Sequence, residues 1–260
     1  MIKKGQRISG FSDGMNLVRI MSFRIGVLLL AVLIASSVLA ALLSGCGGGT
    51  QADKMSIEEV WSRAGNTEKK VNSEHMEMAI YYENTKYGGG QMQSLIIDIS
   101  GDDFHLQNLL FGTVVSEDIR VNGKSYSKQA GKNAWTEVQA VASDNSTSEV
   151  ISQFLQLPAM ASSQERLGKE MLGDLETQHY RFILSPEAAV NMFPPTPPAD
   201  FSSTSGGEVD VWITTDDFNM VRYELVIRNV KITDEIGTGD IRFLVNIRDI
   251  NKPIDIKPPS

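Results

Sequence analysis

Few side chains in this chain have the types and spacing for chemistry. His75, His105 and His179 are the first candidates, because imidazole titrates near neutral pH and is a common zinc ligand. None stands in H-E-x-x-H spacing or beside a partner cysteine, and each falls in a strand-like segment, so a zinc site is not expected. The acidic pairs Asp102-Asp103 and Asp216-Asp217 offer carboxylates for metal or acid–base work. Each lies at a predicted turn, however, where aspartate bonds its own backbone. Gly88-Gly89-Gly90 is followed by no helix and is therefore a turn rather than a phosphate cradle. The body beyond residue 45 has no G-x-S-x-G elbow, and the chain has no G-x-x-x-x-G-K-[ST] loop. The expectation is a protein that is not an enzyme and needs no cofactor. The remaining reactive group is the thiol of Cys46, the sole cysteine.

Cys46 closes an apolar run. Ile25 to Leu43 carries no charge, Arg19 and Arg24 precede it, and Leu43-Ser44-Gly45-Cys46 ends it just before Gly47-Gly48-Gly49. A positive flank, a hydrophobic segment and small residues at its end form a secretion signal. With cysteine as the closing residue the pattern resembles a bacterial lipobox. The resemblance implies that the thiol receives a diacylglycerol, that the chain is cut before Cys46, and that acyl chains anchor the new terminus. Residues 1–45 are then signal peptide, 46–55 a Gly-rich lipidated tether and 56–260 the body, facing outward from the cell membrane. Two other readings stand: an uncleaved anchor, since about twenty apolar residues cross a bilayer, and a chance free thiol. Met15 and Met21 are alternative starts to Met1.

Of the 24 basic and 32 acidic residues, Lys3, Lys4, Arg7, Arg19, Arg24 and Asp13 fall in residues 1–45, which leaves 19 basic against 31 acidic and a net charge of −12. Such a body is repelled by phosphate backbones and by anionic lipid headgroups, so nucleic acid is not an expected partner. With Cys46 in the anchor no disulfide staples the fold, and stability must come from an apolar core.

The elements that build that core follow from periodicity. Ser56 with Glu59 has the form of a capping box and predicts a helix to about Thr67. Apolar residues at 76, 78, 80 and 82 have the period of a strand with one buried face. Lys86 to Gly90 reads as a turn, Leu95 to Ile99 and Phe104 to Leu109 as strands, and Asn122-Gly123 as a tight hairpin. Another strand pair closes around Gly131-Lys132, with Trp135 after it. Val150, Ile151, Phe154, Leu155 and Leu157 make a helical stripe. Strands resume from Glu176 through Leu184, and Ser185-Pro186-Glu187 opens a short helix. Met192 to Pro198 is too proline-rich for helix or central strand and reads as a stiff connection or lid. Three one-sided strands follow, with faces at 209, 211 and 213, at 221, 223, 225 and 227, and at 241, 243, 245 and 247. Short turns join them into an antiparallel meander. The fold class is therefore α+β: an antiparallel sheet apolar on one side, covered by a few helices.

This order of motifs resembles a known group of lipoproteins. The resemblance is carried by the order of the lipobox, the N-terminal helix, Ile119 to Lys128 with Trp135 after it, the central helix, Thr177-Gln178-His179-Tyr180, Val211 to Asp216 and the closing Asn251 to Pro259. The group is that of mycobacterial LppX, LprG, LprA and LprF, which share the fold of the periplasmic carrier LolA. The resemblance implies a curved antiparallel half-barrel with helices over its concave face, and a cavity for acyl chains between them. It implies a lipid or lipidated molecule as ligand, and a lipid exporter or envelope protein as a partner. The residues expected to line the cavity are Ile151, Phe154 and Leu155 from the helix and Val211, Leu225 and Phe243 from the strands. Met76, Met78 and Met160 fit either core or cavity wall. A second reading is an envelope-stress sensor of the same fold with a filled core, and a third is a structural lipoprotein that binds only proteins.

Overall fold

The computed structural model describes residues 54–139, 153–192 and 199–259. The expected signal peptide, Cys46, Ile151 and residues 193–198 of the expected lid lie outside them. Among the described residues eleven strands form one open antiparallel sheet in the order β6-β5-β4-β3-β2-β1-β11-β10-β9-β8-β7. The strands are β1 (Ser73–Thr85), β2 (Gly88–Ser100), β3 (Asp103–Leu110), β4 (Thr113–Val121), β5 (Lys124–Gln129), β6 (Thr136–Val138), β7 (Ser163–Leu172), β8 (Leu175–Leu184), β9 (Gly206–Thr214), β10 (Met220–Thr233) and β11 (Gly237–Arg248). They make two meanders. The first steps outward from β1 to β6, and the second steps inward from β7 so that β11 lies beside β1. That junction pairs Met76 with Ile247, Met78 with Val245 and Ile80 with Phe243. The sheet is the expected curved half-barrel, with helices α1 (Ile57–Glu68), α2 (Leu157–Met160) and α3 (Pro186–Met192) on its inner face.

Local chemistry explains the helices. At the start of α1 the Ser56 hydroxyl accepts from the Glu59 N–H at 3.2 Å, and the Glu59 carboxylate accepts from the Ser56 N–H at 2.9 Å, which completes the capping box. Val60, Trp61 and Ala64 then share the buried face. In α3 the Ser185 hydroxyl accepts from the Ala188 N–H at 3.2 Å, and Ala188, Ala189 and Met192 are buried. The helices pack principally against β8 and β9.

Two expectations about the strands need correction. Gly88 to Gly90 belongs to β2 rather than to a turn; only Lys86 and Tyr87 turn the chain, and Thr85 pairs with Gly88. Glycine is needed there because a Cβ at 89 would meet the Tyr82 carbonyl at 2.8 Å, and one at 90 the Tyr82 hydroxyl at 3.0 Å. Strand β7 was not anticipated at all. It is an edge strand with Ser163, Gln164, Glu165, Lys169 and Glu170 exposed, so no apolar alternation marks it.

Candidate ligand-binding face

The two faces of the sheet differ in chemistry, and the register assigns each side chain to one of them. The outer face is a ladder of charges. His75 sits between Asp98 at 2.7 Å and Glu77 at 3.1 Å, with Arg248 at 2.9 Å, while His105 meets Glu117 at 2.7 Å. His179 bridges Glu170 at 2.7 Å and Asp210 at 2.9 Å, and stacks on Trp212 with ring centroids 4.2 Å apart. Asp210 also takes a two-pronged contact from Arg181 at 2.9 and 3.0 Å. Burial opposes the charged form of His179, but the hydrogen bonds it donates to Asp210 and Glu170 outweigh it and raise its pKa. Burial likewise opposes the Asp210 carboxylate, yet His179 and Arg181 hold its pKa below the usual value. The three histidines thus brace the outer face.

The inner face is apolar across most of its width. One row runs Val211, Tyr223, Val245, Met78 and Leu95 through β9, β10, β11, β1 and β2, and the next runs Val209, Leu225, Phe243, Ile80 and Gln93. Phe154, from the helical residues 153–155, lies on Tyr223 with ring centroids 3.8 Å apart, and Phe243 follows at 6.2 Å from Tyr223. The Trp61 indole donates to the Phe154 carbonyl at 3.1 Å and packs edge-on to Tyr180 and Phe182, which ties α1 to both the helical segment and β8. Leu155 rests on Gly65, where a Cβ would come within 3.2 Å of its side chain. Of the residues chosen from sequence, Phe154, Val211, Leu225 and Phe243 therefore converge on the aromatic row. Leu155 lies against α1, and Ile151 is outside the described residues.

Burial grades along this face. Val209, Val211, Tyr223, Leu225 and Val245 are fully buried, whereas Ile80, Tyr82, Leu95, Ile99 and Leu106 on β1 to β3 are only partly so. Met76 and Met78 sit at the boundary and are buried, and Met160 is half-buried. The apolar stripe is thus wider than the area that packing has closed.

Polar groups interrupt the stripe at points that sequence reasoning missed. Glu74 continues the inward row of Met76 and Met78, is buried, and has no hydrogen bond or ion pair among the described residues. Desolvation, helped by the nearby charge of Glu68, raises its pKa to about 7. The Tyr223 hydroxyl is buried without a hydrogen-bond partner among the described residues, and burial together with Glu74 and Glu68 pushes its pKa well up. On β4, Arg120 lies across from Phe104 and Ser125 in the row that contains Ile99, and its Nε is buried and has no hydrogen-bond partner among the described residues. The signal for Glu74 was present: stepping back by two from Met76 lands on it.

No protein-family model and no curated protein matches the chain by sequence. Solved structures do. The lipoprotein LppX of Mycobacterium tuberculosis superposes with a TM-score of 0.50 at 14% identity, over 78% of this chain and 100% of that one. LprF from Mycobacterium bovis gives 0.48 at 12% identity, over 78% and 96%. A LolA-superfamily protein from Nitrosomonas europaea gives 0.27 at 6% identity, over 78% and 96%. The chain thus shares the fold of LppX.

Proposed function

We propose that this chain is an extracytoplasmic lipoprotein, cut before Cys46 and held to the membrane by acyl chains, which binds or carries a hydrophobic acyl-chain ligand between its half-barrel and its helices. The observation that carries the reading is the mismatch on the inner face, where Ile80, Tyr82, Leu95, Ile99 and Leu106 stay half-buried beside the closed core around Tyr223. An acyl chain laid over these side chains removes them from water, and each buried methylene contributes about 0.8 kcal/mol. The fold shared with LppX supports the same reading. Phe154, Leu155, Leu225 and Phe243, with Val211 behind them and Ile151 on the same predicted helix, form the wall on one side of the ligand. Leu95, Ile99 and Leu106 form it on the other.

A photoactivatable palmitic acid tests this directly on the full chain in non-ionic detergent. Crosslinks should map to inner-face positions such as Leu95, Leu106 and Phe243; crosslinks spread equally over outer-face positions such as His105 and Trp212 would overturn the reading. The anchor is tested separately, since Cys46→Ser should move the protein out of the membrane fraction.

A further inference from the structure

The hairpin tips at one end of the sheet carry side chains that folding alone does not explain. Tyr87, between β1 and β2, is 70% exposed, and Phe111, between β3 and β4, is 72% exposed, with Leu110 and Val114 exposed beside it. Phe111 and Gly112 have φ of 48° and 77°, the paired left-handed conformation of a tight two-residue hairpin turn. At the other end of the same meander Asn122 and Gly123 make this turn with φ of 54° and 76°. Asparagine is the residue suited to that conformation, and a bulky aromatic is strained there. Position 111 therefore holds a residue that is both conformationally unfavourable and exposed to water.

Register shows what shares this end of the molecule. Thr85 pairs with Gly88, Gln93 with Leu110, Glu83 with Asp240 and Thr233 with Gly237, so the tips of β1–β2, β3–β4 and β10–β11 lie together. In the second meander Gly206 pairs with Arg228, Leu184 with Gly207 and Ser163 with Ile183, which places the start of β7 at the same end. Against that start lies the entry to α1: Gln164 donates to Glu58 at 2.9 Å and Arg166 to the Met55 carbonyl at 2.5 Å. The chain thus enters the fold at the rim that bears Tyr87 and Phe111. Lys54 is only eight Cα–Cα steps from Cys46, a reach of at most about 28 Å.

We propose that this rim is a membrane-docking surface, in which Phe111 and Tyr87 insert at the lipid–water interface while the acylated Cys46 holds the body against the bilayer. Aromatic rings favour that interface, and Lys86, 4.8 Å over the Tyr87 ring, sets a cation at headgroup level. The net charge of the body is acidic, so the apolar tips must supply the attraction. A second exposed apolar pair, Met171 and Leu175, flanks the β7–β8 turn at the far end of the sheet, away from the entry to α1. The proposal rests on the lipoprotein reading above, and its test separates the two.

Because Cys46 is the only thiol and is consumed by the anchor, one added cysteine gives a unique site for an environment-sensitive nitrobenzoxadiazole label. The full acylated chain carrying Phe111→Cys, Tyr87→Cys or Asp174→Cys is reconstituted into phosphatidylcholine vesicles with a minor fraction of phosphatidylglycerol. Labels at 111 and 87 are expected to shift to the blue and brighten severalfold on vesicle binding, while the label at 174, beside Leu175, stays unchanged. In a chain labelled at 87, Phe111→Asn should keep the fold, since asparagine suits the turn, and reduce the shift. Equal signals at 111 and 174, or a shift at 174 alone, would overturn the docking surface while the anchor stands. Failure of the chain to float with vesicles would overturn both.

Discussion

At the scale of single residues the inner face combines a well-packed aromatic row with ionisable groups that packing has not satisfied. Glu74 has a folded pKa of about 7 against an ordinary value of 4.5, so the folded state binds its proton more tightly than the unfolded chain does. The stability this provides is fully present below the unfolded value and is lost as pH rises through about 7. His179 acts in the same direction, because its folded pKa is also raised. Asp210 and Glu170 act oppositely, since their lowered values lend stability that disappears only as pH falls into the acid range. Glu74→Gln should therefore flatten the decline in melting temperature between pH 5 and pH 8, removing a contribution of up to about 3 kcal/mol. An unchanged slope would show that Glu74 is hydrated in the folded state. At Phe154 the constraint is packing: its ring lies on Tyr223, and its carbonyl accepts from Trp61. Phe154→Ala should cost about 3–5 kcal/mol in denaturant unfolding, and a loss under 1 kcal/mol would mean that the row is not closed.

At the scale of elements the sheet is held by the pairing of its first and last long strands. Gly239 lies where β11 passes β1, and a Cβ there would meet the Glu83 carbonyl at 2.6 Å and the Thr85 methyl at 2.7 Å. Gly239→Val is expected to destabilise the fold by about 2–3 kcal/mol, measurable by thermal melting. Gly123→Ala, where a Cβ meets open space, should cost only the left-handed strain of about 1 kcal/mol. The strands that carry this junction were legible in sequence because their faces alternate: Met76 to Tyr82, Val221 to Ile227 and Ile241 to Ile247 each appear with one buried side. The capping box of α1 was legible for the same reason, being local chemistry. β7 was not, because an edge strand exposed on most positions carries no pattern. The glycines at 89 and 90 misled because their cause is non-local; they make room for Tyr82 of the neighbouring strand, whereas Gly88 meets open space and has a φ of 90°. Glu74, two residues before Met76, escapes the strand reading because a carboxylate on an apolar row contradicts the pattern that defines the row.

At the scale of the whole molecule an acidic, one-sided sheet with a wide apolar inner stripe is joined to an apolar segment that ends in a single cysteine. The anchorage and the lipid binding proposed above are compatible in such a chain because they would use different parts of it: residue 46 and the rim for the bilayer, the inner face for the ligand. Two meanders meeting at β1–β11 give the face its width, and helices set over β8 and β9 leave Ile80, Leu95, Ile99 and Leu106 on the β1–β3 side only partly buried. The most direct test of the central claim is native mass spectrometry of the full chain purified from bacterial membranes in non-ionic detergent, followed by organic extraction of what it holds. The account predicts a co-purifying acyl lipid near one per chain, beyond the mass of the anchor. A ligand-free mass that also takes up no added lipid would contradict it.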